Sequence, residues 1–379
     1  MIILPIVKQT LLIKLNTTKE QFEALKQTMH RFNEACNYIA GFAHKNHTAN
    51  KMKLQPIVYR EARDRYQLSA QMAIRAIAKV CEAYKRDRSI RPKFRLDGAM
   101  VYDQRILSWR GLEYASILTL KGRIRVPIRI GDYQMARIDR IRGQADLLHR
   151  KGVFYFAVIV DAPEASQYDP TGVLGVDLGI VNLAVDSDGT TYKGEDVNRT
   201  MIRTDKIKAK LQKCGSTSAK RHLKQLSGYE ARYRRNANHT VSKSLVAKAK
   251  DTSRAIALED LKGIRGQTTV RRAQRRRHNS WSFHQLRQFI DYKAKIAGVP
   301  VIPVNPRGTS HTCPRCSVQH NRSRPTREEF RCVSCGFAGP ADYIAALNIA
   351  ARGQVSSPIV LRDFLEQSNA HLQKQAHTL

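Results

Sequence analysis

Residues 173–189 read VLGVDLGIVNLAVDSDG, and this stretch decides how the chain around it is organised. The apolar run 173–176 predicts a short buried strand, and residues 180–185 predict a second one. A tight turn joins the two strands, and the dipeptide Asp188-Gly189, which is typical of hairpin turns, closes the second strand. Asp177 therefore lies where an apolar strand ends.

Three acids occupy comparable positions. A charge at the end of a buried strand is costly to desolvate unless it is paired or binds a cation. A second predicted buried strand, residues 253–258, ends in Glu259. Asp342 lies at the start of an alanine-rich helix, with Pro340 just ahead of it. Taken singly, Asp177 also fits a solvated acid, and Asp342 fits a partner of the helix dipole. Taken together, the three acids predict a site for two magnesium ions acting on a phosphodiester.

The charge of the chain indicates a nucleic-acid partner. Among 379 residues, 66 are Lys or Arg and 32 are Asp or Glu, which gives a formal net charge of +34. The basic residues run through every segment, so they predict a basic surface and not a basic tail. No apolar run approaches the roughly 18 residues that span a bilayer, so we expect a cytoplasmic protein without a membrane partner.

Four of the seven cysteines form a metal-binding pattern. Cys313 and Cys316 make one Cys-x2-Cys pair, Cys332 and Cys335 make another, and fifteen residues separate the pairs. This spacing is typical of a zinc ribbon in which each pair places two thiolates on one side of the metal. Four thiolates leave no open coordination position, so we predict one structural zinc ion.

The N-terminal half predicts strands and helices in separate segments. Residues 1–16 predict strands, and Thr17-Thr-Lys-Glu20 predicts a capping box for a helix with an apolar stripe. Ser69 is expected to cap a partner helix. These patterns predict a helical domain over residues 17–96 and a β barrel or sandwich over residues 97–168, together with the N-terminal strands.

Several basic and aromatic residues are candidates for nucleic-acid binding. In chain order they are Tyr59, Arg60, Arg63, Arg123, Arg125, Arg129, Arg232, Arg234, Arg235, Arg271, Arg272, Arg275, Arg276 and Arg277. Tyr59, Arg60 and Arg63 fit a solvated helix face equally well. The arginines from Arg123 to Arg129 alternate with aliphatic residues, which favours one apolar face and one face for phosphates, although the pattern also fits the polar face of an antiparallel sheet. The arginines from Arg271 to Arg277 also fit a solvated loop.

From about residue 169 the patterns of helices and strands alternate, which predicts an α/β layer. We divide this part into residues 169–306, the cysteine-rich segment 307–338, a returning segment 339–352 and a tail 353–379. The chain contains no phosphate-binding P-loop, no Gly-rich dinucleotide fingerprint and no G-x-S-x-G nucleophile motif.

The order of these motifs resembles that of a known family. The Asp177 hairpin, the strand ending at Glu259, the paired cysteines and the Asp342 helix look like the split RuvC nuclease of TnpB proteins. These are transposon-encoded RNA-guided endonucleases related to type V CRISPR effectors. The likeness covers about residues 100–350. Two positions depart from the family pattern: Ile344 stands where the family commonly has Asn, and Ser317 stands where a Gly usually follows the second cysteine.

The resemblance implies a multidomain α+β and α/β protein with three parts. These are an RNase H-like RuvC nuclease domain carrying the zinc ribbon, a β-barrel wedge domain that grips guide RNA, and a small helical recognition domain. It implies that Asp177, Glu259 and Asp342 hold two catalytic magnesium ions. It also implies a monomeric ribonucleoprotein in which a guide RNA from the transposon end pairs with double-stranded target DNA beside a short adjacent motif.

Two other functions compete with this interpretation. A nuclease-silent, RNA-guided DNA-binding repressor resembles the same family, but we would expect it to lack one or more of the three acids. A strand-transfer transposase, or an accessory protein to one, fits the charge of the chain. The order of the acids and the lack of a His-x-His companion to any tyrosine disfavour the transposase.

Overall fold

We analysed a computed structural model of the chain, which describes residues 6–87, 89–111, 113–179, 181–260 and 283–355. The chain divides at Pro163 and Glu164 into two compact units. We call residues 6–163 the N-terminal unit and the described residues from 164 onward the C-terminal unit. In the described parts, no helix has the length and apolarity needed to cross a membrane.

The N-terminal unit contains three long helices and a short one. They are α1 (Lys19–Lys45), α2 (Lys51–Arg65), α3 (Ala70–Tyr84) and α4 (Asp132–Met135). The predicted stripe of α1 is buried in the core of the unit, with Met29, Phe32 and Ile39 fully inaccessible. Because this apolar face is covered by α3 and the sheet, burial of the stripe holds the helices together.

The helix caps follow the sequence closely. Ser69 caps α3, as expected, because its side chain accepts a hydrogen bond from the backbone N–H of Met72. The capping box of α1 lies one residue later than predicted: Thr18 takes the cap position and Gln21 returns the second hydrogen bond. Thr18 has an extended backbone and Glu20 already lies in the first turn, so Glu20 cannot reach back to the cap.

Seven antiparallel strands form the sheet of the N-terminal unit. They are β1 (Ile6–Leu15), β2 (Met100–Tyr102), β3 (Leu107–Arg110), β4 (Tyr114–Thr119), β5 (Gly122–Arg129), β6 (Ile141–Arg150) and β7 (Val153–Pro163). Their order is β2-β6-β7-β1-β5-β4-β3. The Tyr102 hydroxyl on one edge strand donates to the Leu118 carbonyl near the other edge at 3.0 Å, so the sheet is nearly closed.

The C-terminal unit has a mixed sheet with helices on both faces. Its strands are β8 (Gly172–Asp177), β9 (Asn182–Asp186), β10 (Thr191–Lys193), β11 (Arg254–Glu259), β12 (Val301–Val304) and the separate pair β13 (Glu329–Arg331) and β14 (Ala338–Pro340). Its helices are α5 (Glu195–Cys214), α6 (Thr217–Leu226), α7 (Tyr229–Asp251), α8 (Phe283–Ala297) and α9 (Ala341–Val355). The main sheet has the order β10-β9-β8-β11-β12.

The directions of the strands position their ends. β11 runs parallel to both β8 and β12, whereas β9 runs antiparallel to β8 and to β10. Leu174 and Ile256 pack on one face against residues of α7 and α8. Val173 and Ala257 pack on the other face with Ile349 of α9. Because β8 and β11 are covered on both sides, their sequences are continuous apolar runs.

Helix α9 approaches β8 so closely that the strand has no room for a side chain at Gly175. A Cβ atom there would lie inside contact distance of the Ala346 carbonyl oxygen and 2.8 Å from the Ala350 Cβ. At Gly353, on the helix, a Cβ atom would lie 2.7 Å from the Ala257 Cβ. Glycine is therefore required on both surfaces of this contact.

Gly175→Ala should lower the free energy of unfolding of the protein by about 3 kcal/mol, because the added methyl group must displace backbone of α9. Chemical denaturation of the wild-type and variant proteins measures this difference. Gly172→Ala is the matched control on the same strand, because its Cβ would lie 3.6 Å from the nearest atom, an ordinary contact. Equal effects of the two substitutions would contradict the packing argument.

Candidate active site

The register of two parallel strands places Asp177 beside Glu259. Val176 of β8 lies opposite Leu258 of β11, and the two acids are the residues that follow. Neighbouring strands are about 4.8 Å apart, so the acids leave the sheet at the same edge. Side chains alternate along a strand, so Asp177 lies on the same face as Val173, and Glu259 lies on the same face as Ala257. This is the face that α9 covers.

The third acid lies on the helix that covers this face. Asp342 is in the first turn of α9, and α9 runs against β8 with Gly353 near Val173 and Ala346 near Gly175. Continuing this contact by one helical turn places Asp342 near the end of β8. The sheet and the helix therefore bring together the three acids that the sequence singles out.

Electrostatics show that the three carboxyl groups interact. Burial, followed by the negative charges of Glu259 and Asp342, raises the pKa of Asp177 to about 7, and Arg324 acts in the opposite direction. Burial also raises the pKa of Glu259, opposed by the Thr309 hydroxyl and by Arg352. The site thus carries more negative charge than the protein compensates, as expected for a site that binds cations.

Two side chains orient Asp342. The Asn182 amide at the start of β9 donates to its Oδ2 atom at 3.0 Å, and the Arg324 guanidinium lies 3.7 Å from its Oδ1 atom. Arg324 also donates to the Arg327 carbonyl at 2.9 Å, which fixes the direction of the guanidinium. The carboxylate is about 30% exposed and remains open to solvent on one side.

Asp177 and Asp342 line a cavity of about 630 Å³. Asn182, Arg324 and Tyr343 lie on its wall together with apolar residues of the β8–β9 turn. The cavity therefore combines anionic oxygen donors, the cationic side chains of Arg324 and Arg327 and an aromatic ring, and its volume is in the range of small-molecule sites.

Glu259 is held by contacts on both its side chain and its backbone. The buried Thr309 hydroxyl donates to its Oε1 atom at 2.5 Å, and Arg287 of α8 donates to its carbonyl at 3.0 Å. The backbone bond fixes the end of β11, and the hydroxyl fixes the carboxylate.

The four cysteines converge as their spacing predicts. The Sγ atoms of Cys313 and Cys335 are 3.6 Å apart, those of Cys316 and Cys332 are 3.5 Å apart, and all four lie within 4.8 Å of one another. Hydrogen bonds, the largest from the backbone N–H of Cys335, lower the pKa of Cys332, whereas its neighbour Cys316 has a raised pKa. The low pKa of Cys332 favours the thiolate that a metal requires. This cluster can hold one metal ion.

Both departures from the family pattern have a structural explanation. Ser317 has a φ of +60°, the left-handed conformation that favours glycine, and Gly336 has the matching conformation after the fourth cysteine. Ile344 is fully buried beside Phe330 and Cys332. An apolar side chain at position 344 therefore packs the cysteine segment against α9.

The candidate nucleic-acid residues of the N-terminal unit lie on α2 and β5. Arg60 and Arg63 are exposed, and Tyr59 is half-buried against the core. The arginines of β5 alternate with buried Val126 and Ile128, as expected, so Arg123, Arg125 and Arg129 share the exposed face. Arg123 donates to the carbonyls of Ser116 and Arg105, which partly commits its guanidinium.

In the C-terminal unit, three of the candidates lie in the first turns of α7, which begins at Tyr229. Arg232 and Arg235 are exposed, and Arg234 is half-buried. The candidates from Arg271 to Arg277 lie outside the described residues.

Some residues at the site have no sequence signal of their own. Asn182, Thr309 and Asn348 are short polar residues whose partners lie far away in the chain. Asp186 is fully buried and pairs with Lys248 of α7 at 2.7 Å, which ties the β9–β10 turn to the helix layer. An Asn or Thr close to an acid-bearing strand or helix is a pattern that many unrelated loops share, so the sequence does not single out these residues.

Two family profiles match the C-terminal part of the sequence. The OrfB_IS605 family, described as a probable transposase, matches residues 156–271. The Cas12f1-like TNB domain matches residues 283–349, which contain the four cysteines and Asp342.

Individual proteins show the same likeness. The chain is 30% identical over 238 residues to the CRISPR-associated endodeoxyribonuclease Cas12f1 of Sulfoacidibacillus thermotolerans, covering 58% of this chain and 54% of the relative. It is 28% identical over 194 residues to the TnpB-like protein MJ0751 of Methanocaldococcus jannaschii, covering 46% and 69%. It is 26% identical over 229 residues to the putative RNA-guided DNA endonuclease InsQ of Escherichia coli K12, covering 53% and 54%. The matched region spans about half the length of most of these relatives.

Two solved structures share the fold. A Cas12f1–sgRNA–target DNA complex matches with a TM-score of 0.60 at 13% identity, covering 91% of this chain and 99% of that one. The mini-RNA-guided endonuclease CRISPR-Cas_phi3 matches with a TM-score of 0.56 at 12% identity, covering 93% of each chain. These likenesses establish a mixed α/β architecture of the Cas12 type.

Asp177→Asn should stabilise the protein at high pH in buffer without added divalent ions. The pKa of Asp177 is higher in the folded state than in the unfolded state, so the folded wild type loses stability as the pH rises from about 4 to about 7. We expect a gain of roughly 3 kcal/mol at pH 8 and little at pH 4, measured by chemical denaturation. Asp251→Asn, at an exposed acid ending α7, is the control and should show no such gain. A gain that does not change with pH would contradict the electrostatic origin.

Ser317→Gly should strengthen metal retention by the cysteine cluster. A non-glycine residue with positive φ costs about 1 kcal/mol, so its removal should slow the release of bound metal to a chelator about fivefold. Gly336→Ala, at the matching position, should accelerate release by a similar factor. Unchanged release in both variants would show that backbone strain does not limit the stability of the cluster.

Proposed function

We propose that this chain, a TnpB-type relative of the type V CRISPR effectors, is an RNA-guided, magnesium-dependent DNA endonuclease. The observation that carries the proposal is the convergence of Asp177, Glu259 and Asp342 from two adjacent strand ends and the covering helix. In this proposal residues 169–306 and 339–352 form a RuvC-like nuclease domain, and residues 307–338 form its zinc ribbon.

The acids fit two magnesium ions better than one. Mg²⁺ binds oxygen at about 2.1 Å, so ligands of one ion lie at most about 4.2 Å apart. Among described residues, the cysteines are the sole group of three or more candidate ligands lying within 4.8 Å of one another. At least one pair of the acids is therefore more widely spaced. Asp177, Glu259 and Asp342 would therefore hold two magnesium ions between them.

The residues of the chain have distinct roles in the proposed cleavage. When bound, the two magnesium ions supply Lewis-acid chemistry for in-line hydrolysis of a phosphodiester, which leaves a 5′-phosphate. Asp177, Glu259 and Asp342 hold the ions, and Asn182 keeps one oxygen of Asp342 fixed. Arg324 presents a guanidinium to the same cavity, where it can pair with a non-bridging phosphate oxygen and stabilise developing charge.

The cysteine cluster is proposed to hold one structural zinc ion. Its four thiolates leave no position for a substrate, so its contribution is to the fold. Phe330 and Ile344 pack the cysteine segment onto α9, the helix that bears Asp342. Zinc therefore supports the geometry of the nuclease site through packing.

The basic surface is proposed to bind a guide RNA from the transposon end and double-stranded target DNA. The net charge of +34 supports contacts with phosphate backbones. In this proposal the nearly closed sheet is the wedge domain, with Arg125 and Arg129 facing guide RNA. The exposed α2 face with Arg60 and Arg63 helps to read the motif beside the target, and base pairing supplies the remaining specificity. We further propose that one copy of the chain forms the ribonucleoprotein.

Asp177→Ala should abolish target cleavage by more than a thousandfold and leave RNA and target binding nearly intact. The protein is purified with its RNA, the RNA is sequenced, and cleavage of a matching DNA target is measured with magnesium present. The substitution removes a proposed metal ligand and leaves the surfaces that are proposed to contact nucleic acid unchanged.

The matched control is Asp251→Ala, which removes an exposed acid of the same unit and should cleave like the wild type. Persistent cleavage by Asp177→Ala would contradict the assigned nuclease site. Target binding without cleavage by the wild type would support a guided DNA-binding repressor. Joined DNA ends in place of cut ends would support a strand-transfer transposase, and copurification of bulk cellular RNA would support a general nucleic-acid binder.

A further inference from the structure

A short loop connects the last strand of the sheet to the first cysteine pair. We call residues 305–312 the bridging loop. It begins after β12 and ends one residue before Cys313. Thr309 at its centre is only 2% exposed, although threonine is usually found at the surface.

The Thr309 hydroxyl is directed at Glu259. It lies 2.5 Å from the Oε1 atom of Glu259 and 3.0 Å from the Pro306 carbonyl oxygen. A hydroxyl has one proton to donate, and an ionised carboxylate is the stronger acceptor. Among the described residues, the Thr309 hydroxyl is the only hydrogen-bond donor to the Glu259 carboxylate, and it is directed at the Oε1 atom.

The bridging loop is clamped to α9 by one side chain. Asn348 is 6% exposed, and its amide nitrogen donates to the carbonyls of both Thr309 and Thr312 at 2.7 Å. Both protons of the amide are thus used on the loop. Asn348 lies on the same helix as Asp342, and Thr312 immediately precedes Cys313.

These contacts form one continuous path. From Glu259 it passes through the Thr309 hydroxyl and the Thr309 carbonyl to Asn348, and along α9 to Asp342. A branch through Thr312 leads to Cys313. The path joins the only proposed metal ligand of β11 to the helix that carries another ligand, without passing through the sheet.

We propose that Thr309 is a positioning residue that fixes the carboxylate of Glu259 for divalent-ion binding, and that Asn348 holds Thr309 in place. This inference rests on the proposed function, since it assumes that Glu259 binds the catalytic ions. Partners that orient metal ligands typically contribute a factor of 10 to 100 in metal affinity. We assign an effect of this size on metal affinity to the Thr309 hydroxyl, which is not itself a proposed metal ligand.

Thr309→Val tests the hydroxyl, because valine has the same shape and no proton to donate. Mn²⁺ binding to the full-length protein, measured by the loss of the free-ion electron paramagnetic resonance signal, should weaken about tenfold. Thr309→Ser keeps the hydroxyl and should bind Mn²⁺ within about twofold of the wild type. Zinc content, measured in parallel, should be the same in all variants.

Thr312→Val is the matched control in the same loop. Its hydroxyl donates to the Gly308 carbonyl at 2.7 Å and makes no hydrogen bond to an acid in the described part of the chain. We expect unchanged Mn²⁺ affinity. Equal weakening in Thr309→Val and Thr312→Val would overturn the proposal, because it would show a general effect of disturbing the loop. Equal weakening in Thr309→Val and Thr309→Ser would also overturn it, because the hydroxyl would then not be the cause.

A double-mutant cycle tests the role of Asn348. Asn348→Ala should weaken Mn²⁺ binding, and combination with Thr309→Val should add little, since both remove the same path. Full additivity of the two effects would overturn the assigned role of Asn348. Asp177→Ala serves as the reference: if it binds Mn²⁺ like the wild type, the proposed metal site itself fails. If Asp177→Ala loses binding and Thr309→Val keeps it, only the positioning role fails.

Discussion

The contact between α9 and β8 at Gly175 is the constraint on which the C-terminal unit depends. A helix normally packs on a sheet through side chains of both elements, but at Gly175 the strand contributes only its backbone. This close approach brings the first turn of α9 to the end of β8. Three acids that are far apart in the chain thereby come to share one site. The position of Asp342 relative to Asp177 is thus set by the absence of one methyl group.

The grouping of the three acids lowers the free energy of unfolding of the protein. Burial and mutual repulsion of the carboxylates destabilise the metal-free protein, and Arg324 offsets only part of that repulsion. By contrast, Asp186 and Asp188 on the neighbouring turn are neutralised by Lys248 and Arg254. The acids of one hairpin therefore differ in their surroundings: Asp186 and Asp188 are paired with cations, whereas Asp177 lies beside two other acids.

The sequence was sufficient to predict features that depend on local patterns. The apolar runs of β8 and β11 require burial on both faces, so strand ends and their acids could be identified. The spacing of Cys313 and Cys316 fixes a knuckle without reference to the rest of the chain. The capping box of α1 was predicted one residue early because Thr17 and Thr18 are chemically equivalent, and only backbone geometry distinguishes them. The Asn182–Asp342 and Thr309–Glu259 pairs could not be predicted, since their partners meet only through the register of β8 with β11 and the approach of α9.

The position of α9 in the chain has a consequence for biosynthesis. A nascent chain that has left the ribosome as far as the four cysteines already contains every strand of the main sheet. It still lacks Asp342 and the helical surface that covers Val173 and Ala257. Helix α9 therefore supplies both the third acid of the proposed metal site and the apolar surface that covers the sheet. A truncated translation product cannot keep the core and lose only the acid, because both reside in the last helix described.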